Sequence, residues 1–313
     1  MKIFIELPTW LGDTVMATPA IENIIKHYPD AKFTLFGSMP SVALFNNHPH
    51  IEKCIIDESK KSIFRMHWLY KEAKKLEAFD MAISFRTSFA SKIFFFFLRT
   101  SNKSFYTRVK NGIKHQVERY NDFCNILLKK VYPAGDLILY TKPDSYTKPT
   151  LGINPGASYG SAKRWYPEKF AQVAVTLSHH YDIIIFGGPS EVDIANDIED
   201  SLQKNNILNY QNKAGKTTIE ELCQCIGGLD LFITGDSGPM HVAAAYKIPT
   251  VAIFGPTKDK ETSQWHNPKG IIVKKEMECS PCMKRTCPLK HHECMKDILP
   301  KDILDAVKKL NLA

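Results

Sequence analysis

The sequence predicts an α/β protein made of two parallel-sheet halves. Three observations predict it. Short apolar runs alternate with segments of helical periodicity along nearly the whole chain. The alternation breaks between Tyr140 and Thr150, where TKPDSYTKP is rich in Pro, Lys and Ser and has no periodicity. The length, 313 residues, suits about two domains. The expected division is 1–145 and 146–313, with a cleft between the strand edges as the place for a ligand. The last helix is free to pack back on the first half.

In the first half, Lys2 to Leu7 reads as a strand, followed by a turn at Pro8 to Asp13. Thr14 to Tyr28 follows with Val15, Ala17, Ile21, Ile24 and Ile25 at helical spacing. Lys32 to Gly37 is a second strand, Ser41 to Asn47 a short helix and Cys54 to Ile56 a third strand. Ile63 to Leu76 reads as a charged amphipathic helix, Met81 to Phe85 as a fourth strand and Gln116 to Lys130 as a helix. The run Ile93 to Leu98 is read as a buried helix face, with contact to lipid as the alternative. In the second half, Leu151 to Asn154, Asp182 to Phe186, Leu229 to Thr234 and Thr250 to Phe254 are strands. Pro167 to His179, Glu191 to Lys204, Thr218 to Ile226 and Lys301 to Leu310 are helices, and another starts at His241.

At 44% hydrophobic the chain can build substantial cores. The start, MKIFIELPTW, has no signal-peptide pattern, and no apolar run reaches the roughly 20 residues that span a bilayer. The expected setting is therefore the reducing cytoplasm. Net charge is +8, which points to an anionic partner without choosing one. The excess is local: Lys60 to Arg119 holds 14 Lys or Arg against 4 Asp or Glu. No nucleic-acid module accompanies it, so acidic substrate and anionic membrane stand ahead of nucleic acid. Cys54, Cys124, Cys223 and Cys225 fall in predicted elements and read as small core residues. Cys279, Cys282, Cys287 and Cys294 cluster beside His291 and His292, but their uneven gaps fit no standard zinc ribbon. The expectation is a reduced, structural loop with no metal.

The most informative stretch is LDLFITGDSGPMHVAAAY, Leu229 to Tyr246. Strand, tight polar turn and small-residue helix form half of a βαβ unit, whose turn lies where open α/β sheets bind ligands. Free N–H groups at such a helix start favour an anion, and Pro239 suits a first helical position. Asp236 and His241 flank the same turn; the bland alternative is a helix cap from Asp236 or Ser237. Gly-Asp-Ser-Gly-Pro matches a trypsin-like nucleophile segment, but those proteases are antiparallel barrels, and Pro239 breaks the Gly-x-Ser-x-Gly elbow.

Three further turns carry candidates. Gly12 and Asp13 end the first strand's turn, where a carboxylate serves as general base or as cap for Thr14 onward. NPGASYGSAKRWYPEKF sets a Gly- and Ser-rich loop before Lys163 and Arg164, a backbone nest with a cation that suits phosphate. It has neither a P-loop ending nor a dinucleotide fingerprint. Trp165 reads as packing. In GGPSE, Glu191 is placed to accept from ribose hydroxyls or to cap the next helix. The chain has no Asp-x-Asp pair, so a diphosphate would be met by Lys163 and a helix N-terminus rather than by a metal clamp.

Together, PTWLGDTVMATPA, NPGASYGSAKRWYP, AGKTTIEEL, GDSGPMHVAAA and FGPT resemble, in order, the ADP-heptose:lipopolysaccharide heptosyltransferases of glycosyltransferase family 9. The Pro-Thr-Trp-Leu-Gly-Asp opening, Ala-Lys-Arg-Trp and HQVERY resemble the family's type II members more than type I. The resemblance implies a GT-B fold, two Rossmann-like parallel-sheet domains facing a central cleft. It implies inverting transfer of L-glycero-D-manno-heptose from ADP-heptose to the heptose of the lipopolysaccharide or lipooligosaccharide inner core. The alternative within the family is a type I enzyme acting on Kdo-lipid A. Asp13 takes the place of the proposed base and Lys163 that of the phosphate-binding lysine. Asp236, Ser237, Gly238 and His241 match the sugar-nucleotide turn. Thr217 lies where the family contacts adenine, Ser158 where it contacts phosphate, and Glu191 and Gly12 join the substrate-binding set. No cofactor is implied beyond the donor substrate, and the implied setting is the cytoplasmic face of the inner membrane. The rival classes are a nicotinamide-dependent dehydrogenase, which would need a glycine fingerprint the chain lacks, and a zinc or nucleic-acid binding module.

Overall fold

The computed structural model describes residues 1–108, 112–156 and 159–312. The chain forms two compact units, Met1–Tyr140 and Thr141–Ala313. Both are α/β with all-parallel sheets, as the alternation predicts.

The first unit runs β1 (Lys2–Glu6), α1 (Leu11–His27), β2 (Lys32–Gly37), α2 (Met39–Ala43), β3 (Ile51–Ile56), α3 (Arg65–Lys75), β4 (Met81–Ser84), α4 (Phe89–Phe97), β5 (Lys103–Phe105) and α5 (Gln116–Leu128). Its strand order is β3-β2-β1-β4-β5. Central β1 is buried at every residue after Lys2, as a strand covered on both faces must be. One face carries an aromatic core in which Phe36 and Phe94 stack at 4.5 Å, with Phe4 and Phe95 beside them. The phenylalanine run of α4 is therefore mainly core: Phe94 and Phe95 are fully buried, while Phe96 is 76% exposed. His115 caps α5 and Glu118 returns a bond to the His115 N–H at 2.8 Å, a capping box that starts this helix where the periodicity places it.

Two boundaries differ from the sequence reading and matter for the site. Helix α1 begins at Leu11, so Gly12 and Asp13 belong to its first turn rather than to the loop before it. Helix α3 begins at Arg65, which leaves Ile63 and Phe64 outside the helix and exposed.

The second unit runs β6 (Thr150–Asn154), α6 (Pro167–Leu177), β7 (Asp182–Ile185), α7 (Val192–Lys204), β8 (Tyr210–Asn212), α8 (Ile219–Gly227), β9 (Leu231–Gly235), α9 (Gly238–Ala245), β10 (Thr250–Ile253), α10 (Asp259–Thr262), β11 (Gly270–Val273), α11 (Glu293–Lys296) and α12 (Pro300–Lys309). The order β11-β10-β9-β6-β7-β8 puts β6 and β9 at the centre. Helix α12 lays Ile303 and Ala306 into this unit's own core, against α6 and the strands β10 and β11. Trp165 is packing: it is buried, edge-on to Phe170 at 4.8 Å, and its indole N–H donates to the Ile298 carbonyl at 3.0 Å. Cys124, Cys223 and Cys225 are core residues as expected, whereas Cys54 is only half-buried on β3. Cys294, read from sequence as part of a loop, is instead a buried member of the second core.

Candidate active site

The turn after β1 is fastened by hydroxyls. Thr14 Oγ1 donates to the Trp10 carbonyl at 3.0 Å, Ser41 Oγ to the Pro8 carbonyl at 2.7 Å, and Ser38 Oγ to the Thr9 carbonyl at 2.8 Å. Trp10 is the N-cap of α1, so Asp13 lies inside the first turn rather than at the cap position. Asp13 is hydrogen-bonded to the phenol of Tyr120 on α5, which packs along α1. Tyr120 is buried between Phe85, at 5.5 Å, and Tyr106, at 5.0 Å. Burial first, and then the charge of Asp13, hold the Tyr120 hydroxyl well above its ordinary value. It therefore stays a neutral donor to the carboxylate.

Behind this turn lies a buried charge network. Arg86 donates through Nε to the Leu7 carbonyl at 2.6 Å, and its Nη1 stands 3.0 Å from Asp57 and 3.4 Å from Glu6. Glu6 also accepts from Ser84 at 2.5 Å and Ser91 at 2.8 Å. Burial pushes the Glu6 carboxyl up against the opposing pull of Arg86 and the two hydroxyls. At Asp57 burial acts the same way, but bonds from Ser59 and Arg86 outweigh it and leave the carboxyl below its usual value. These groups tie β1, β3 and β4 together at the carboxyl edge that carries Asp13.

In the second unit, the candidate side chains gather at the carboxyl ends of β6, β7, β9 and β10. Lys163 Nζ is 2.6 Å from Asp236 Oδ2 and 3.2 Å from the Asp236 carbonyl, and lies over the Tyr159 ring at 4.8 Å. Thr257 donates to the same Asp236 oxygen at 2.6 Å. Asn154 Nδ2 lies 3.3 Å from Ser237 Oγ. Ser237 is the N-cap of α9 but makes no side-chain cap bond, and Asp236 is committed to Lys163 and Thr257, so neither takes the capping role. Gly238 opens α9 and His241 is buried in its first turn. Glu191 is 5% exposed and accepts the Gly188 N–H at 2.8 Å. Its carboxylate lies so close to Gly156 that a Cβ there would come within 2.0 Å of it. Thr217 is half-buried in the loop beyond Gly215, whose φ of +71° favours glycine. Ser158 lies outside the described residues.

The sequence profile of glycosyltransferase family 9 (heptosyltransferase) matches residues 68–293. The chain belongs to this family. It is 46% identical to lipooligosaccharide heptosyltransferase 2 of Campylobacter jejuni serotype O:2, over 99% of this chain and 98% of that one. In fold it is similar to Escherichia coli ADP-heptose lps heptosyltransferase II, at a TM-score of 0.77, 22% identity and coverage of 99% and 98%. An E. coli heptosyltransferase solved with ADP gives 0.79 at 13% identity, covering 99% of this chain and all of that one. The protein is thus a family 9 glycosyltransferase of the heptosyltransferase kind.

For a family 9 chain, the residues that sequence reasoning missed are Tyr120, Asn154, Gly156 and Thr257. Each lay inside a motif already singled out, HQVERY, the NPG loop or FGPT. What the motifs withheld was which residue faces the site. The basic excess of residues 60–119 is also smaller at the surface than its count. Arg119 is buried and Arg86 mostly so, while Lys75 and Lys114 are paired with Glu72 and Asp122. No helix among the described residues is long and apolar enough to cross a membrane.

Proposed function

We propose that this family 9 chain transfers L-glycero-D-manno-heptose, with inversion, from ADP-heptose to the inner-core heptose of lipooligosaccharide or lipopolysaccharide, as a type II heptosyltransferase. The observation that carries the site assignment is the convergence of Lys163, Asp236, Thr257 and the opening of α9 at one sheet edge. A diphosphate would meet there an ammonium held in place by a carboxylate and a helix start with no side-chain cap. Glu191 accepts from the donor's ribose hydroxyls, Thr217 borders the adenine, and Ser158 and Ser237 serve the phosphates and sugar.

In this reading Asp13 removes the proton from the acceptor hydroxyl as that oxygen attacks the anomeric carbon. The C–O bond to ADP breaks through an oxocarbenium-like transition state. Lys163 stabilises the negative charge that departs with the diphosphate. Gly12 lets the acceptor approach the first turn of α1. The reaction needs no cofactor beyond the donor. The chain works in the cytoplasm at the inner-membrane surface, where the acceptor is anchored. Ile63 and Phe64 are exposed close in sequence to exposed Lys60, as Phe89 is to exposed Lys92, a combination of apolar and cationic groups suited to anionic lipid.

The test is incubation with ADP-heptose and two acceptors, one carrying a first heptose and one carrying only Kdo-lipid A, read by product mass. One heptose added to the first acceptor alone supports the reading. Addition to the Kdo-lipid A acceptor alone replaces it with the type I activity. Transfer to neither overturns the donor assignment.

A further inference from the structure

Residues 274–292 form a 19-residue stretch without helix or strand between β11 and α11. Stretches of that length inside a compact domain are uncommon unless something organises them. This one is pinned at many points. The Met283 N–H donates to the Pro256 carbonyl at 2.8 Å and Ser280 Oγ to the Gly255 carbonyl at 2.6 Å. The Tyr159 hydroxyl donates to the Met283 carbonyl at 2.9 Å, and the Ala162 N–H to the Arg285 carbonyl at 3.0 Å. At Gly160 an added Cβ would come within 2.3 Å of that same Arg285 carbonyl oxygen. The stretch therefore holds both the loop that presents Lys163 and the loop that presents Thr257.

At its centre is one small cavity of about 20 Å³, lined by Cys279, Cys282, Cys287 and Cys294 together with His291 and His292. That volume is room for a single water-sized particle. The sulfurs of Cys279, Cys282 and Cys287 are all within electrostatic reach of Cys294. Both ring nitrogens of His292 are already used, one with the Tyr166 hydroxyl at 3.1 Å and the other with the Ala162 carbonyl at 2.9 Å. His291 Nδ1 accepts the Glu293 N–H at 3.0 Å. The donors left in the cavity lining are thus the four sulfurs and His291 Nε2, and the sulfurs are the softer set. Among the described residues no three donors yet stand around a common centre at ligand distances, so binding would require the thiols to turn inward.

We propose that this cavity is a structural metal site, in which Cys279, Cys282, Cys287 and Cys294 bind one zinc-class divalent ion as a closed tetrahedral centre. Four thiolates with no open position define a structural site rather than a catalytic one. As the four metal–sulfur bonds form, four thiol protons leave to solvent. The uneven spacing that argues against a ribbon in the sequence is accommodated because Cys294 comes from α11 and the other three from the irregular stretch. The site would brace the Lys163 and Thr257 loops from behind, without touching the substrates.

The test reads metal directly and does not depend on transfer activity. Full-length protein purified under reducing conditions is assayed for metal by mass spectrometry. About one equivalent of zinc is expected for a closed four-thiolate site. Cobalt substitution should give thiolate-to-cobalt charge transfer and tetrahedral ligand-field bands. Cys282→Ser should lose the metal and Cys54→Ser keep it. If Cys282→Ser does not fold, thiol titration of the native chain decides: a mercurial titrant should release the metal as these four sulfurs react. Metal loss should lower the melting midpoint by roughly 5–15 °C, the range for removing a tightly bound stabilising ligand from a unit of this size. Metal-free protein whose thiols titrate identically with and without zinc, or a mass showing two disulfides among these cysteines, would overturn the proposal.

Discussion

Removing the carboxylate of Asp236 tests how the donor side of the site is held. Its side chain is 6% exposed and that of Lys163 13%, with 2.6 Å between their charged atoms. Asp236→Ala would leave the ammonium largely buried with the backbone carbonyl of residue 236 at 3.2 Å and the Tyr159 ring face at 4.8 Å to compensate. Breaking a buried pair by removing one partner costs about 3–5 kcal/mol. The lower end, about 3 kcal/mol, applies because Lys163 retains some contact with water and the cation–π contact persists. In a unit spanning Thr141–Ala313, each kcal/mol moves the midpoint by about 2–4 °C, so the expected fall is roughly 6–12 °C. ADP should narrow the gap, since its diphosphate offers the stranded ammonium a new partner. At about 100 times its dissociation constant ADP stabilises native and variant alike by roughly 2.7 kcal/mol, so at one ADP concentration the gap narrows by the amount that the variant's affinity exceeds the native one. The assay is thermal melting of native protein, Asp236→Ala, Lys163→Met and the double variant, with and without ADP. The cycle should return a coupling of about 3 kcal/mol. A variant melting within about 1 °C of native, or a coupling near zero, would refute the argument that this pair is a buried, mutually dependent unit.

Four other outcomes follow from the same geometry. Asp13→Asn should lower transfer by about 10²–10⁴, the range for loss of a general base, with ADP-heptose affinity by calorimetry unchanged; near-native turnover would remove Asp13 from that role. Tyr120→Phe deletes a bond to a charged group worth about 1.5–3 kcal/mol, so turnover should fall roughly 10- to 150-fold with donor affinity intact; a loss confined to donor affinity would contradict a role through Asp13. Glu6→Gln is a pH test. The folded-state carboxyl is raised from 4.5, so its ionised form is disfavoured by folding, and native protein should lose stability relative to the Gln variant as pH rises above 4.5 through the folded value. A stability difference that is flat with pH, or of opposite slope in denaturant titrations, would show that Glu6 does not titrate this way. Mg²⁺ added to chelator-treated enzyme should leave turnover unchanged, as expected of a chain with no Asp-x-Asp pair; restoration by Mg²⁺ would mean that a metal meets the diphosphate.

The strands that are buried on both faces were legible in the sequence because burial leaves a continuous apolar run, as in KIFIE of β1 and LFIT of β9. Strands β5, β8 and β11 were not. They are three or four residues long, end their sheets and are at most half-buried, so they carry no run to read. The turns of the candidate site were legible because a polar turn between a buried strand and a helix needs Gly, Asp, Ser and Pro in a narrow order. Their partners were not, since Lys163 meets Asp236 from 73 positions away and Thr257 meets it from 21. Such pairings depend on strand order, which periodicity does not encode. Asp13 shows the same limit: a carboxylate in the turn after the first strand is visible in the sequence, but not the phenol of Tyr120 that bonds it.

The two aspartates at the sheet edges are therefore not interchangeable. Asp236 shares one oxygen between the Lys163 ammonium and the Thr257 hydroxyl. A carboxylate held in that way is a good anchor for a cation. Asp13 accepts from the phenol of Tyr120, whose own ionisation is suppressed by burial, and that bond orients the carboxylate. Pairs of like groups set in unlike surroundings are how one protein divides base and binding roles. In the proposed reaction that division gives Asp13 the proton and leaves Asp236 to keep Lys163 where a departing diphosphate needs it.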